Sequence, residues 1–256
     1  MFPRLFTAGG VTLYSYGIML ALGAVLGYFL AVRGAPYRSL TRSFVSNAVS
    51  GAVISGIIFA RLGYILISPA GFLSRPSRVF MIWEGGLVFW GGLAGAALWL
   101  WYYCRREKAE LRAALDILSP AAALGYAFGR IGCFLAGCCW GIPTEFFAGV
   151  VFSHPETLCA HPGPVHPVQL YSAVFTLILA LFLYRRLKNS PAREGKIFGL
   201  YLVLYSVFRF FIEFLRGDFR GREFLSLTPT QWVALLGIIT GAVIFYRRGG
   251  RARKGS

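Results

Sequence analysis

Seven apolar runs, each close to the length a helix needs to cross a bilayer, constrain what this chain can fold into: Val11–Val32, Phe44–Ile67, Gly86–Tyr103, Ala113–Leu135, Pro167–Tyr184, Ile197–Leu215 and Pro229–Tyr246. Hydrocarbon offers no water to backbone amides, so a spanning segment must be a helix or a strand of a closed barrel. These runs lack the polar–apolar alternation of barrel strands and mix helix formers with Gly and Ala, which let helices approach closely in lipid. Hydrophobic residues make up 57% and charged residues 14% of the 256, a balance that a water-soluble core would not need. The expected fold is an all-α integral membrane protein of about seven transmembrane helices, a single polytopic domain over 1–256 with no internal repeat. The first run is too long for a secretion signal and shows no small-residue cleavage site, so it is expected to be retained as helix one.

The formal net charge of +16 raises the question of nucleic acid, and the placement of the basic residues answers it. Loops 33–42, 105–112 and 185–196 and the tail 247–256 alternate with the others and carry seventeen Lys and Arg. The opposite side carries six, namely Arg4, Arg75, Arg78, Arg216, Arg220 and Arg222, and none in the long loop 136–166. The positive-inside rule then sets the amino terminus outside and the carboxy terminus in the cytoplasm. The basic loops and tail read as topology determinants that meet anionic headgroups of the membrane lipids, and no nucleic-acid partner is expected.

Three arginines, Arg61, Arg130 and Arg209, fall inside the runs. A central charge costs roughly 2.5–3.5 kcal/mol on insertion scales, so such residues face a bundle interior or wet cavity and carry a partner. At a rise of about 1.5 Å per residue, Arg130 and Arg61 lie roughly 26 Å along their helices from the cytoplasm and Arg209 about 18 Å. Tyr16, Trp90 and His166 are expected at that same outer level. Tyr205, Arg209 and Glu213 recur every four residues and so share one helix face. That spacing fits two readings: an intrahelical Arg–Glu pair, or an anion clamp in which Glu213 orients Arg209 and Tyr205 donates to the same ligand.

The stretch Gly129–Thr144, GRIGCFLAGCCWGIPT, is followed after a loop by HPVQLY at His166–Tyr171. Glycines at 129, 132, 137 and 141 allow close backbone approach to a ligand or tight helix packing. With these residues the chain resembles the prolipoprotein diacylglyceryl transferases, whose signature has the form G-R-x-G-N-F-x-N-x-E-x-x-G. Gly129, Arg130, Gly132, Phe134 and Gly141 match it. Further matches are Tyr16–Gly17, ARLGY at Ala60–Tyr64, the glycine pairs within Gly85–Gly92, Asp116 with Pro120, HPVQLY, and YSVFRFFIEFLR at Tyr205–Arg216, in the family's order. The signature's asparagines and glutamate are replaced by Cys133, Ala136 and Cys138, and Trp90 stands where several members carry a histidine.

The resemblance implies transfer of a diacylglyceryl group from phosphatidylglycerol to the lipobox cysteine thiol in the signal peptide of a prolipoprotein, giving a thioether and glycerol phosphate. Arg130 and Arg209 are then expected on the headgroup phosphate. Tyr16, Gly17, Arg61, Trp90, Gly129, Gly132, Gly141, Gln169 and Tyr205 are expected to bind substrate. With Trp90 unable to take a proton, the candidate bases are His166, Glu213 and Tyr16, unless the arginines suffice. His166 could equally cap its helix, and Asp116 is expected to be structural, as a partner to a basic loop residue. No cofactor is expected and no metal, since the spacing of Cys133, Cys138, Cys139 and Cys159 matches no standard zinc pattern. A disulfide of Cys138 or Cys139 with Cys159 is the alternative that an oxidising exterior favours. A transporter or flippase, or a non-catalytic lipid-binding paralogue, would also place arginines in a bundle, but a transporter is expected to show repeats or interrupted helices.

The charge asymmetry makes a direct prediction. A reporter fused after Ser256 will be active only in the cytoplasm and one inserted in 136–166 only outside; a fusion active outside at the carboxy terminus would overturn the topology.

Overall fold

A computed structural model describes residues 3–8, 11–69, 76–81, 85–159, 161–189, 194–218 and 224–246. The basic tail 247–256 and Arg75, Arg193, Arg220 and Arg222 lie outside the described residues. A short antiparallel hairpin of β1 (Arg4–Ala8) and β2 (Val11–Tyr14) precedes, among the described residues, seven α-helices. They are α1 (Ser15–Gly34), α2 (Arg42–Ile67), α3 (Phe89–Arg106), α4 (Leu111–Ala136), α5 (Val168–Asn189), α6 (Lys196–Ile212) and α7 (Pro229–Tyr246).

Six helices are long and apolar enough to cross a membrane, and large apolar side chains such as Phe29, Ile54, Ile178 and Leu236 stand exposed along them. In water such faces would aggregate, whereas in lipid they are solvated. Two sequence expectations need correction. Val11–Tyr14 is a strand rather than the start of helix one, since the hairpin pairs its backbone with Arg4–Ala8. The expected span Gly86–Tyr103 becomes helical only at Phe89, and α3, closed by Arg105 and Arg106, is not among the six.

The chain divides into two compact units, Ser39–Ala114 and the remainder. In the Ser39–Ala114 unit, Thr41 caps α2 by accepting the Phe44 amide at 3.1 Å. Glycines bring α2 and α3 almost to backbone contact: a Cβ at Gly91 would lie 2.5 Å from the Phe59 carbonyl oxygen, and one at Gly95 2.6 Å from Phe59 Cβ. In the larger unit Gly199 and Gly241 do the same for α6 and α7.

The larger unit is anchored by a charge pair with no solvent exposure. Arg38 Nε donates to Asp116 Oδ2 at 2.9 Å, with both side chains fully buried. Asp116 also accepts the amides of Gly195 at 3.0 Å and Phe198 at 2.9 Å. Helix α6 has no cap of its own, so a carboxylate from α4 satisfies its first amides and meets the positive end of its dipole. The expected structural pairing of Asp116 with a basic loop residue is thus realised with Arg38.

Removing one partner of a buried pair leaves the other charge uncompensated. Asp116→Ala should cost about 3–5 kcal/mol, read as a lowered unfolding midpoint in detergent. An Arg38→Met, Asp116→Leu double variant should recover only part of this, because the α6 amides stay uncapped; full recovery would show that the cap contributes nothing.

Candidate active site

Helix α4 carries Arg130 six residues before its end. Its guanidinium lies over the Tyr126 ring, 4.8 Å from the centroid, and Nε donates to the Tyr126 hydroxyl at 2.7 Å. Nη2 donates to the same oxygen. Among the described residues Nη1 makes no hydrogen bond, so one edge of a half-buried guanidinium is held while the other stays available. Tyr126 meets the Tyr205 ring of α6 edge to face at 5.4 Å, and Tyr205 stacks on Tyr201 at 5.7 Å. Tyr205 lies one turn before Arg209 on α6, as Tyr126 lies one turn before Arg130 on α4.

Arg209 is buried, with Nη1 2.6 Å from Glu213 Oε2. The contact is an ion pair by distance without the angle of a hydrogen bond, leaving those two atoms without a hydrogen-bond partner among the described residues. Glu213 belongs to a 3-10 turn after α6, and its Oε1 accepts from the Thr228 hydroxyl at 3.0 Å. Thr228 and Gln231 form a reciprocal box at the start of α7: the Thr228 amide donates to Gln231 Oε1 at 2.9 Å and the Gln231 amide to Thr228 Oγ1 at 3.3 Å. The α7 cap therefore fixes the carboxylate that faces Arg209.

Beyond α4, three segments pair through their backbones. The Gly141 amide donates to the His166 carbonyl at 2.9 Å, the His166 amide to Ile142 at 3.0 Å, and the Ile142 amide to Leu215 at 2.9 Å. Gly141 is needed for this: an added Cβ would fall 2.6 Å from the His166 carbonyl oxygen and 2.7 Å from that of Leu215. Fully buried Gln169 adds a bond from Nε2 to the Cys138 carbonyl at 2.8 Å. His166 Nδ1 lies 3.3 Å from the Tyr171 hydroxyl, and the His166 carbonyl receives the Val168 amide at the start of α5.

The five cysteines are free thiols, contrary to the expected disulfide with Cys159, whose Sγ points instead to the His161 carbonyl at 3.9 Å. Gly137, at φ 70°, reverses the chain after α4 and returns Cys138 and Cys139 to Cys133; the three sulfur atoms lie within 4.8 Å of one another. Hydrogen bonds from Cys133 and Cys138, aided by Arg216 and Arg130, hold the Cys139 thiol far below the ordinary thiol range. The same contacts push Cys138 up. Arg216 forks onto Asp218 with bonds of 2.8 and 2.9 Å, and burial pushes the Asp218 carboxyl up against the pull of that arginine.

Other expected site residues are placed as follows. Tyr16 is 41% exposed, packs against Gly132, and lies within electrostatic reach of Arg130 and the three thiols. A Cβ at Gly17 or Gly129 would meet no atom within 4 Å, so packing does not explain either glycine. Arg61 and Trp90 belong to the Ser39–Ala114 unit. Buried Arg61 donates to the carbonyls of Val79 at 3.2 Å, Gly85 at 2.6 Å, Gly86 at 3.1 Å, Met81 at 3.2 Å and Arg78, and so orders that loop. Trp90 is 59% exposed beside Phe89. Sequence reasoning missed Tyr126, Thr228, Arg216 with Asp218, and the convergence of the thiols. The first two had signals, an i,i+4 Tyr–Arg spacing and a T-x-x-Q box.

A helical membrane protein with arginines taken out of water on α4 and α6 is the class these features define. The family model for prolipoprotein diacylglyceryl transferase matches residues 3–247, and the chain belongs to that family. It is similar to the phosphatidylglycerol–prolipoprotein diacylglyceryl transferase of Clostridium tetani, 34% identical over 245 residues that cover 96% of this chain and 97% of that protein. A protein of Clostridium perfringens named as transferase 2 of the same kind is 34% identical, covering 93% and 91%. The Geobacter sulfurreducens transferase is 36% identical over 224 residues, 84% and 82% of the two chains.

The glycines separate packing from function. Gly129→Ala should leave stability unchanged or raise it by about 0.5–1 kcal/mol, as in any open helix position, yet reduce transfer if a headgroup approaches there. Gly141→Ala should break the backbone pairing and make 138–166 susceptible to protease. An unaltered protease pattern in that variant would show that the close approach is dispensable.

Proposed function

We propose that the chain transfers the diacylglyceryl group of phosphatidylglycerol to the lipobox cysteine of a prolipoprotein signal peptide, forming a thioether and releasing glycerol phosphate, at the bacterial inner membrane. Family membership supports the reaction class, and the names of the relatives support phosphatidylglycerol and prolipoprotein as its substrates. The observation that carries the residue assignment is the half-used guanidinium of Arg130, held on Tyr126 with no carboxylate beside it among the described residues.

The bond broken joins a glyceryl carbon to a phosphate oxygen, so negative charge grows on the leaving phosphate. Fixed donors aimed at that charge in a water-poor site stabilise the transition state without reorganising. Arg130 offers its free edge, and Arg209, oriented by Glu213, supplies the second positive charge. Tyr126 and Tyr205, each one turn before an arginine, meet edge to face and join α4 to α6. The Gly129 backbone beside Arg130 leaves room for the headgroup.

The test incubates purified protein with phosphatidylglycerol and a lipobox peptide and reads the peptide by mass spectrometry. A diacylglyceryl mass gain is the expected result, and its absence with active lipid and peptide would overturn the reading. Arg130→Ala and Arg209→Ala should each lower the rate about 100-fold or more with the fold retained. Arg209→Lys should rescue poorly, because a point charge lacks the planar fork. Turnover close to the unaltered protein in either alanine variant removes that arginine from the mechanism.

A further inference from the structure

Cys133, Cys138 and Cys139 stand at and beside positions where the family signature carries asparagine and glutamate, and the mechanism above does not use them. Their convergence is built by the backbone. Cys133 lies in the last turn of α4, Gly137 takes a left-handed conformation, and the Cys138 amide bonds the Cys133 carbonyl at 3.1 Å. Cys139 itself sits at φ 62°, a conformation that costs a residue with a side chain roughly 1–2 kcal/mol. Gln169, fully buried, holds the Cys138 carbonyl from α5.

Three half-buried sulfurs within 4.8 Å of one another match a soft cation better than a disulfide. Pairing two by oxidation strands the third, whereas a metal uses all of them. Zinc–sulfur bonds of about 2.3 Å in tetrahedral geometry set the sulfurs about 3.8 Å apart, so a shift on the order of 1 Å closes the set. A dication on three thiolates carries one excess negative charge. Arg130 and Arg216 lie within electrostatic reach of Cys139 to balance it. Three protein ligands also leave a fourth position, the arrangement of catalytic rather than structural zinc.

We propose that Cys133, Cys138 and Cys139 bind zinc through three thiolates, with water as the fourth ligand at rest and the acceptor peptide's thiol as the fourth ligand during turnover. The second half rests on the transferase reading. A thiol that binds zinc is deprotonated outright, so the metal would do the work for which Trp90 is unsuited. The thiol displaces the water and releases its proton to solvent. Its sulfur then forms the C–S bond to the glyceryl carbon as the C–O bond breaks, and the electron pair leaves with glycerol phosphate toward Arg130 and Arg209. The neutral thioether is a weak ligand and gives way to water. Zinc keeps its oxidation state throughout.

The test uses full-length protein purified in detergent with a phosphine reductant and no chelator. Elemental analysis should find zinc stoichiometric with protein. Cys133→Ser, Cys138→Ser and Cys139→Ser should each weaken binding more than tenfold, and Cys159→Ser should leave it intact. Cobalt exchanged into the unaltered protein, a measurement that needs no variant, should give thiolate charge-transfer and tetrahedral visible bands. A lipobox peptide added without lipid should shift the visible bands, and its Cys→Ser form should not. Absence of zinc together with absence of cobalt bands overturns the site, as does a disulfide found between two of the three under these reducing conditions. Bound metal with a spectrum indifferent to the peptide overturns the acceptor role and leaves the site. Peptide mass gain, read separately on the same preparation, decides the transferase reading independently of metal content.

Discussion

A guanidinium cannot give up its charge, so every arginine taken out of water must be met by something that accepts its protons. This protein meets the demand in four ways. Arg38 has a carboxylate, Asp116; Arg61 has a ring of loop carbonyls; Arg209 has Glu213; and Arg130 has the face and oxygen of a phenol. The first three are provided for by the protein itself. Among the described residues Arg130 has no carboxylate partner, and this imbalance is what the proposed headgroup contact rests on.

Helix α4 connects the anchor with the chemistry. Asp116 and Cys133 are seventeen residues apart on it, about 25 Å at the helical rise. Asp116 pins one end of that distance by joining Arg38 to the first amides of α6. Because α6 also carries Tyr205 and Arg209, one buried carboxylate fixes the register of the two helices whose tyrosines, Tyr126 and Tyr205, meet edge to face. A slip of one residue would move these rings by about 1.5 Å along the axis, enough to lose an edge-to-face contact.

Helices were legible in the sequence wherever the physics was local. Long apolar stretches have few alternatives in lipid, and the four-residue spacing of Arg209 and Glu213 marks a pair that does meet, even though Glu213 sits in the turn after the helix. The same rule applied to Tyr126 and Arg130 would have found the pair. What stayed hidden depends on contacts between distant segments. Val11–Tyr14 reads as the start of the first apolar run, and only its pairing with Arg4–Ala8 makes it a strand. The α6 cap comes from a residue 79 positions earlier in the chain, beyond the reach of any local motif.

The thiols show why spacing alone fails at a reversal. Cys133 and Cys138 are five residues apart, which on a continuous helix would put them on different faces. Gly137 ends the helix between them and folds the chain back, and with Cys139 also at positive φ the geometry depends on two left-handed residues. The same turn delivers the Cys138 carbonyl to Gln169 and brings Gly141 to the backbones of His166 and Leu215. The left-handed turn after α4 therefore sets both the cysteine cluster and the loop ladder that surrounds it, with the cluster within electrostatic reach of Arg130.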